Sequence, residues 1–221
     1  MRAMPTTRFT ALLIVWSLLS SIAAAQDPGT IETIAGGGTQ EGEGLPAVDL
    51  ALSSPWGVAV DSAGNLYLAD SANHRIRRVD ASTGVATTVA GTGESGFTGD
   101  GGPGPSALLS FPQSVAVDAQ GNVYIADTGN GRIRRVDAVT GIIRTIAGTG
   151  TFGFSGDGGP ASEAEFGEIV ALVTGGGGKL FVSDGVDEQF QGNHRVRAID
   201  LATGLVSTVA GNGDFSFSGD G

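Results

Sequence analysis

The sequence predicts an all-β fold built from repeats of four antiparallel strands. Residues 64–80 read GNLYLADSANHRIRRVD, residues 121–137 read GNVYIADTGNGRIRRVD, and 12 of these 17 aligned positions are identical. The spacing between equivalent positions of the two copies is constant, and a looser third copy lies at 178–200. Self-similarity at a fixed period of this kind indicates a repeat architecture. Since no segment shows a convincing helical period, strands form the repeat unit.

Four strand candidates follow one another closely in the first copy. The segments between them are rich in Asp, Asn, Ser and Gly, which accept positive φ or hydrogen-bond their own backbone. Such turns predict tight hairpins, and four strands joined by hairpins form a small antiparallel sheet. The four candidates lie at 57–60, 66–69, 75–79 and 86–90.

The segment that links one copy to the next also recurs. GFTGDGGP at 96–103 becomes GFSGDGGP at 153–160, with the same spacing as the strands, and the sequence FSGDG stands at 217–221. A weaker form, GEGLP, precedes the first copy at 42–46. Together these repeats predict sheets at about 55–90, 112–147 and 169–210. The alternating sequence TIETIA at 30–35 predicts one further, single strand.

Small four-stranded sheets joined by longer loops suit radial stacking, which is the architecture of a β-propeller. Residues 58–60 and 66–68 are apolar at consecutive positions rather than alternating, as expected for strands covered on both faces. The third strand, RIRRV, mixes charged and apolar residues and should lie nearer solvent. A parallel β-helix is the competing architecture, but its coils are usually shorter and lack tight hairpins.

The start of the third strand carries a family resemblance. NHR at 73–75 and 193–195, and NGR at 130–132, stand where NHL-repeat propellers have their Asn–His–Leu signature, with Arg replacing Leu. Together with the recurring SGDGGP loop, the chain resembles exported bacterial NHL-repeat proteins over residues 30–221. Propellers of this family usually close with six blades. The resemblance therefore implies an incomplete ring here, with about three blades plus one N-terminal closing strand, and a fragment of a longer protein.

The segment 1–25 has the pattern of a cleaved secretory signal. Arg2 and Arg8 make its start basic, residues 11–22 are apolar, and three alanines at 23–25 precede Gln26. The apolar run is short for a membrane span, so we expect the mature domain, 26–221, to be extracellular or periplasmic without a membrane span.

Without the signal, the chain keeps 10 basic and 23 acidic residues and no cysteine. This acidic balance argues against nucleic acid as a partner, because phosphate backbones need clustered Lys and Arg. The lack of cysteine excludes disulfides and thiolate metal sites.

One end of the predicted blades gathers the candidate ligand-binding residues. Turns after the second strand and the inter-blade loops should share this end, here called the loop face. A six-residue insertion in the third copy, within residues 186–191, departs from the repeat there and is the best candidate for specificity. The candidate partner-binding residues are Asp70, Asp127, Asp184, Asp187, Glu188 and Phe190.

The three recurring aspartates also have a simpler interpretation, which we favour. An Asp at a strand end with an Asn three residues on can cap backbone N–H groups and pair with a nearby Arg. Likewise Asp100, Asp157 and Asp220 in the SGDGGP loops are weak calcium candidates, because one carboxylate among glycines supplies few of the six to eight oxygens that Ca²⁺ needs.

The other recurring side chains point to structure rather than chemistry. His74 and His194 are the only histidines, and two residues on different blades do not form the three or four ligands of a zinc site. Phe97, Phe154 and Phe217 recur with the loop and should pack it onto the sheet edge. No catalytic triad, nucleophile elbow, cofactor motif or metal set is recognisable.

These observations favour an exported, non-catalytic binding or scaffold module that recognises protein or carbohydrate through its loop face. The resemblance leaves one alternative: a metal-dependent propeller enzyme, of the lactonase or amidating-lyase kind, whose remaining ligands lie in missing blades. Family membership by itself does not settle activity.

Overall fold

The computed structural model describes residues 31–186 and 192–214. These residues form three antiparallel sheets and five single 3₁₀ turns. The strands are β1 Leu45–Pro46, β2 Pro55–Val60, β3 Leu66–Asp70, β4 Arg75–Val79, β5 Val85–Ala90, β6 Ser114–Val117, β7 Val123–Asp127, β8 Arg132–Val136, β9 Ile143–Ala147, β10 Ile169–Gly175, β11 Lys179–Val186, β12 Gly192–Asp200 and β13 Val206–Ala210. The 3₁₀ turns are Ala47–Asp49, Ser71–Asn73, Gly104–Ser106, Thr128–Asn130 and Ala161–Glu163.

Each repeat folds into one sheet whose strands pair in chain order. Blade 1 is the sheet β2-β3-β4-β5, blade 2 is β6-β7-β8-β9, and blade 3 is β10-β11-β12-β13. All pairs within a blade are antiparallel. The predicted all-β fold of four-stranded antiparallel blades is therefore confirmed. No helix in the described ranges is long and apolar enough to cross a membrane.

The turn between the first two strands shows why the local sequence folds as it does. In blade 2, one carboxylate oxygen of Asp118 accepts hydrogen bonds from the N–H groups of Gln120 and Asn122. The other oxygen accepts from the Asn122 side chain and from the Tyr124 hydroxyl. Burial by itself would raise the pKa of Asp118, but these hydrogen bonds lower it below its ordinary value. The carboxylate thus closes the hairpin.

The N-terminal strand is not where the sequence predicted it. Residues 31–35, the described part of the predicted strand at 30–35, form no strand. The chain instead turns at Gly36 and Gly37, both with positive φ, and β1 pairs with the outer edge of β5. The segment was predicted as the closing strand of a further blade, and its described residues pair with no strand within the described ranges.

The same pairing recurs where each inter-blade loop returns. Pro103 bridges to Ile142 beside β9, and Pro160 bridges to Leu205 beside β13. Both prolines end a copy of the recurring GDGGP sequence, and Pro46 in β1 is their equivalent. The loop before each blade therefore runs along the outermost strand of that blade.

The blades stack through their faces. One buried cluster joins blades 1 and 2, with Tyr67 and Ile76 packed against Val115 and Ile125. A second joins blades 2 and 3 in the same way. The first strands also bond across the second boundary: the Leu172 N–H donates to the Ser114 hydroxyl. Burial of these apolar faces is the main stabilising contribution in a chain without disulfides.

Candidate functional site

The aspartates that end the second strand of each blade are buried. Asp70, Asp127 and Asp184 are essentially inaccessible to solvent. Each accepts a hydrogen bond from a backbone N–H in the segment that enters the blade. The donors are Ser53 (2.8 Å), Ser110 (2.7 Å) and Gly167 (2.7 Å). These carboxylates therefore clamp the incoming loop to the blade, and their part in partner binding stays a prediction.

The asparagine three residues on completes each clamp. The side-chain amide of Asn130 donates to Asp127 and to the Gly96 carbonyl, both at 2.8 Å. Asn193 donates to Asp184 at 2.7 Å and to the Gly153 carbonyl at 2.6 Å. These contacts agree with a structural role for the Asp and Asn residues. The carbonyl groups that the asparagines bind lie in the inter-blade loops, at Gly96 and Gly153, rather than in the turn after the second strand.

A buried arginine on the third strand links the clamp to the loop aspartate. Arg134 is fully buried, and its guanidinium lies 2.8 Å from Asp100 and 3.4 Å from Asp127. It also donates to the carbonyls of Thr98 and Leu108. A charge removed from water is tolerated only when its hydrogen bonds are made, and the loop supplies them. Asp127 and Asp100 do share one end of the blade, as predicted.

Blade 3 repeats this network, and blade 1 carries a variant. Arg197 lies 2.8 Å from Asp157 and 3.4 Å from Asp184. In blade 1, Arg77 contacts Glu43 at 2.6 Å. Glu43 belongs to GEGLP at 42–46, so the weak motif is a true counterpart of the later loops.

The pKa values of the strand-end aspartates and of the loop aspartate Asp157 shift in opposite directions. Desolvation raises the pKa of Asp127 and of Asp184, and the hydrogen bonds and the arginine offset it in part. For Asp157 burial acts in the same direction, but hydrogen bonds from Thr208 and the contact with Arg197 lower the pKa below its ordinary value. The loop carboxylate is thus held as the charged partner of the arginine.

The calcium candidates are engaged in these contacts. Asp100 and Asp157 direct their oxygens at Arg134 and Arg197, while Asp220 lies outside the described residues. Within 31–186 and 192–214, no three His, Cys, Asp or Glu side chains come together in a way that could hold a metal ion. Calcium binding at these loops stays a prediction.

In blades 2 and 3, a second arginine of the third strand is half-buried against a loop phenylalanine. The Arg132 guanidinium stacks over the Phe97 ring at 4.0 Å, and Arg195 stacks over Phe154 at 3.8 Å. Arg132 and Arg195 also donate to the Thr149 and Asn212 carbonyls. The predicted packing of the loop by Phe97 and Phe154 is therefore present, with cation–π contacts added. Phe217 lies outside the described residues.

His74 is part of a blade-to-blade contact. Its Nδ1 accepts a hydrogen bond from the Phe111 N–H at 3.1 Å, and the two rings meet edge to face with centroids 4.6 Å apart. Both residues adopt positive φ, which is unusual for side chains of this size. The contact joins the turn after β3 to the loop that enters blade 2.

Four phenylalanines are exposed in the described inter-blade loops. Phe111 and Phe152 are 52% and 56% exposed, while Phe97 and Phe154 are 39% and 40% exposed. Phe111 and Phe152 break the repeat, because the equivalent first-copy residues are Ser54 and Ser95. The sequence analysis missed them, although a comparison of aligned loop positions would have found them. Phe97 and Phe154 lie against Arg132 and Arg195, and Phe111 lies against His74.

The six-residue insertion within residues 186–191 falls almost entirely outside the described residues. Asp187, Glu188 and Phe190 lie outside the described residues, so their role in partner binding stays a prediction. The strands before and after this segment in the sequence, β11 and β12, pair from Lys179 and Asp200 to Val186 and Gly192.

Comparisons with known proteins agree with this geometry. The NHL repeat family model matches residues 52–79 and 109–136. NHL repeat-containing protein 2 from Bos taurus is 31% identical over 191 residues, which cover 81% of this chain and 25% of that protein. The chloroplastic protein SUPPRESSOR OF QUENCHING 1 from Arabidopsis thaliana is 36% identical over 118 residues, which cover 53% of this chain and 11% of that protein. The chain spans a quarter or less of the length of these relatives.

Solved structures show the same fold. A protein of unknown function from Bacteroides thetaiotaomicron matches with a TM-score of 0.53 at 21% identity, over 62% of this chain and 35% of that one. A chain in the nidogen/laminin complex matches with a TM-score of 0.50 at 15% identity, over 72% of this chain and 49% of that one. The repeated clamps, the blade pairing and these matches lead to one conclusion: the chain carries NHL repeats at 52–79 and 109–136 and has the fold of a β-propeller.

Proposed function

We propose that the protein is an exported, non-catalytic binding or scaffold module that recognises a protein or carbohydrate through its loop face. The observation that carries the proposal is the exposure of four phenylalanines in the inter-blade loops: Phe97, Phe111, Phe152 and Phe154. Exposed aromatic side chains beside arginines are typical of binding surfaces, where they contribute much of the affinity. Export is supported by the signal-like sequence at 1–25.

The repeated charged residues support a binding role in a second way. Asp127, Asn130 and Arg134 make their hydrogen bonds inside the blade or to its loop. If these side chains took part in catalysis, they would have to break the hydrogen bonds that hold the loop. The surface that remains available for recognition is therefore formed by the loops themselves, and above all by the residues that depart from the repeat.

The test replaces the two aromatic residues that break the repeat. Phe111→Ser and Phe152→Ser introduce the residues that the first copy carries at these positions, and Ser54 adopts a positive φ like that of Phe111. The purified chain and the double variant are probed on a glycan array and on immobilised proteins from the producing cell's surface fraction. We expect the double variant to fold, with an unfolding midpoint lowered by the loss of the ring contact between Phe111 and His74, and to bind at least about tenfold more weakly.

The matched control is Val139→Ser. Val139 is 93% exposed in the turn between β8 and β9, on the opposite end of blade 2 from the loop face. Its substitution should change binding less than about twofold, since scattered surface positions contribute little. Binding that survives loss of both phenylalanines, or no binder in either panel, contradicts the proposal.

A further inference from the structure

Two arginines stand directly opposite each other on the outer strands of blade 2. Arg135 on β8 and Arg144 on β9 are register partners. Like charges directly opposite in an antiparallel pair repel each other and lower stability. The residues equivalent to Arg144 are Thr87 in blade 1 and Ser207 in blade 3, so blade 2 alone among the described blades brings two guanidinium groups together here.

Many hydrogen-bond donors of this pair are unused. Arg144 is exposed and makes no hydrogen bond or ion pair with any other described residue. Arg135 donates from Nη2 to the Asp137 carboxylate at 2.8 Å and to the Asn122 side chain at 3.0 Å. Its Nε–H is buried and has no acceptor within 31–186 and 192–214. Because a buried donor without an acceptor costs free energy, an acceptor supplied by a ligand would stabilise the pair.

The two arginines border a cleft, here called the arginine cleft. It has a volume of about 260 Å³ and is lined by Arg135, Asp137, Thr140, Ile142, Arg144 and Ile146. Ile146 also packs against the cluster that joins blades 2 and 3, so the cleft lies beside a boundary between two described blades. Asp137 and Thr140 follow β8, which places the cleft at the opposite end of the blade from the loop face.

The lining residues select the chemistry of a ligand. Guanidinium groups bind the planar carboxylate with paired hydrogen bonds. Hydrogen bonds from Thr140 and the contact with Arg135 lower the pKa of Asp137 below its ordinary value, so this side chain is a charged acceptor for hydroxyl groups. Ile142 and Ile146 add apolar surface. The volume is below the range of about 300–1,000 Å³ of most small-molecule sites, which suits one small unit rather than an extended ligand.

We propose that the arginine cleft binds an acidic sugar, a uronate, through its carboxylate. The two guanidinium groups hold the carboxylate, Asp137 accepts a hydrogen bond from a ring hydroxyl, and the isoleucines contact the C–H groups of the ring. An acidic side chain of a peptide has the carboxylate but lacks the neighbouring hydroxyl groups. Inorganic phosphate concentrates more charge on a smaller group, which Asp137 repels. The cleft is separate from the loop face and from the function proposed for it.

An NMR titration of the purified chain with D-glucuronate, followed on the arginine Nε–H signals, tests the proposal. We expect saturable shifts of the Arg135 and Arg144 signals with a dissociation constant of about 1 mM, since a ligand of this size gains only modest affinity. D-glucose lacks the carboxylate, and acetate lacks the hydroxyl groups. Each of them, and inorganic phosphate, should bind at least about tenfold more weakly than glucuronate.

Two matched variants locate the binding. Arg144→Gln should weaken glucuronate binding at least about tenfold, and it should fold because Arg144 is exposed and makes no contact that the fold needs; circular dichroism checks this. Arg78→Gln is the control, because it removes the same charge at the position equivalent to Arg135, where Thr87 stands opposite. Its effect on binding should be less than about twofold.

The variant with both Phe111→Ser and Phe152→Ser should bind glucuronate like the unaltered chain, so this experiment and the test of the loop face can fail separately. The proposal would be overturned by an absence of shifts with glucuronate or by equal binding of glucose, acetate or phosphate. Undiminished binding by Arg144→Gln, or an equal loss in Arg78→Gln, would also overturn it.

Discussion

At the scale of single residues, the recurring arginines differ in a way that their sequence conceals. Arg134 and Arg135 are neighbours in RIRRV, yet Arg134 is fully buried between Asp100 and Asp127, while Arg135 is 37% exposed beside Asp137. In a strand, adjacent side chains point to opposite faces of the sheet. One arginine therefore holds the inter-blade loop, and the other pairs at the surface.

Exchange of these two arginines for methionine separates their roles. Arg134→Met leaves Asp127 buried without its cation and should lower the free energy of unfolding by about 3–5 kcal/mol. Arg135→Met removes a solvent-exposed ion pair and should cost at most about 1 kcal/mol. Urea denaturation followed by circular dichroism measures both. Equal losses in the two variants would contradict the structural role assigned to Arg134.

The sequence predicted the location of this network but not its partners. Recurrence at a constant spacing placed Asp127 and Asp100 at the same end of the blade, and the hydrogen bonds of Asp127 agree with the structural role that the sequence favoured. The bond from Ser110 and the buried position of Arg134 could not be predicted, because both depend on how the loop folds back across the third strand.

At the scale of secondary-structure elements, the pairing of the third and fourth strands of each blade shifts its register, and a glycine permits the shift. The pairing of β8 with β9 shifts between Ile133 and Arg134, and the equivalent strands of blades 1 and 3 shift at the same place. Gly148, just after β9, has a φ of 90°, and a Cβ there would lie 2.3 Å from the Gly131 carbonyl oxygen. The close approach and the positive φ together require glycine.

Substitution of alanine for each of two glycines in blade 2 tests the requirement for glycine at position 148. Gly148→Ala combines backbone strain with the clash and should destabilise the protein by at least about 3 kcal/mol. Gly141→Ala is the control, because Gly141 also has a positive φ, of 67°, but no atom lies within 4 Å of its Cβ position. Its cost should be about 1–2 kcal/mol, from strain alone. Similar unfolding midpoints for the two variants would refute the close approach.

Strand prediction succeeded where neighbouring strands reinforce the local pattern. The hairpins of blades 1 and 2 carry Asp–x–x–Gly–Asn turns and apolar strands, and they form as expected. The segment 30–35 has an alternating pattern, yet residues 31–35 form no strand, whereas Leu45–Pro46 carries a weak pattern and pairs with β5. Edge pairing depends on tertiary contacts, so local sequence does not predict it.

At the scale of the whole molecule, the blades are alike in fold but unequal in surroundings. Blade 2 is covered on both faces, since its two sides contribute to separate buried clusters. Blades 1 and 3 each share one such cluster with blade 2. Regions with fewer buried apolar contacts open at lower free energy, so the three repeats should differ in local stability although their sequences are similar.

Backbone hydrogen exchange, read on equivalent peptides of the three repeats, tests the stacking most directly. Peptides covering β7 and β8 should exchange more slowly than their equivalents covering β3 and β4, and more slowly than those covering β11 and β12, because only blade 2 is flanked on both faces among the described blades. Equal exchange in all three repeats, or slowest exchange in an outer blade, would contradict the stacked arrangement.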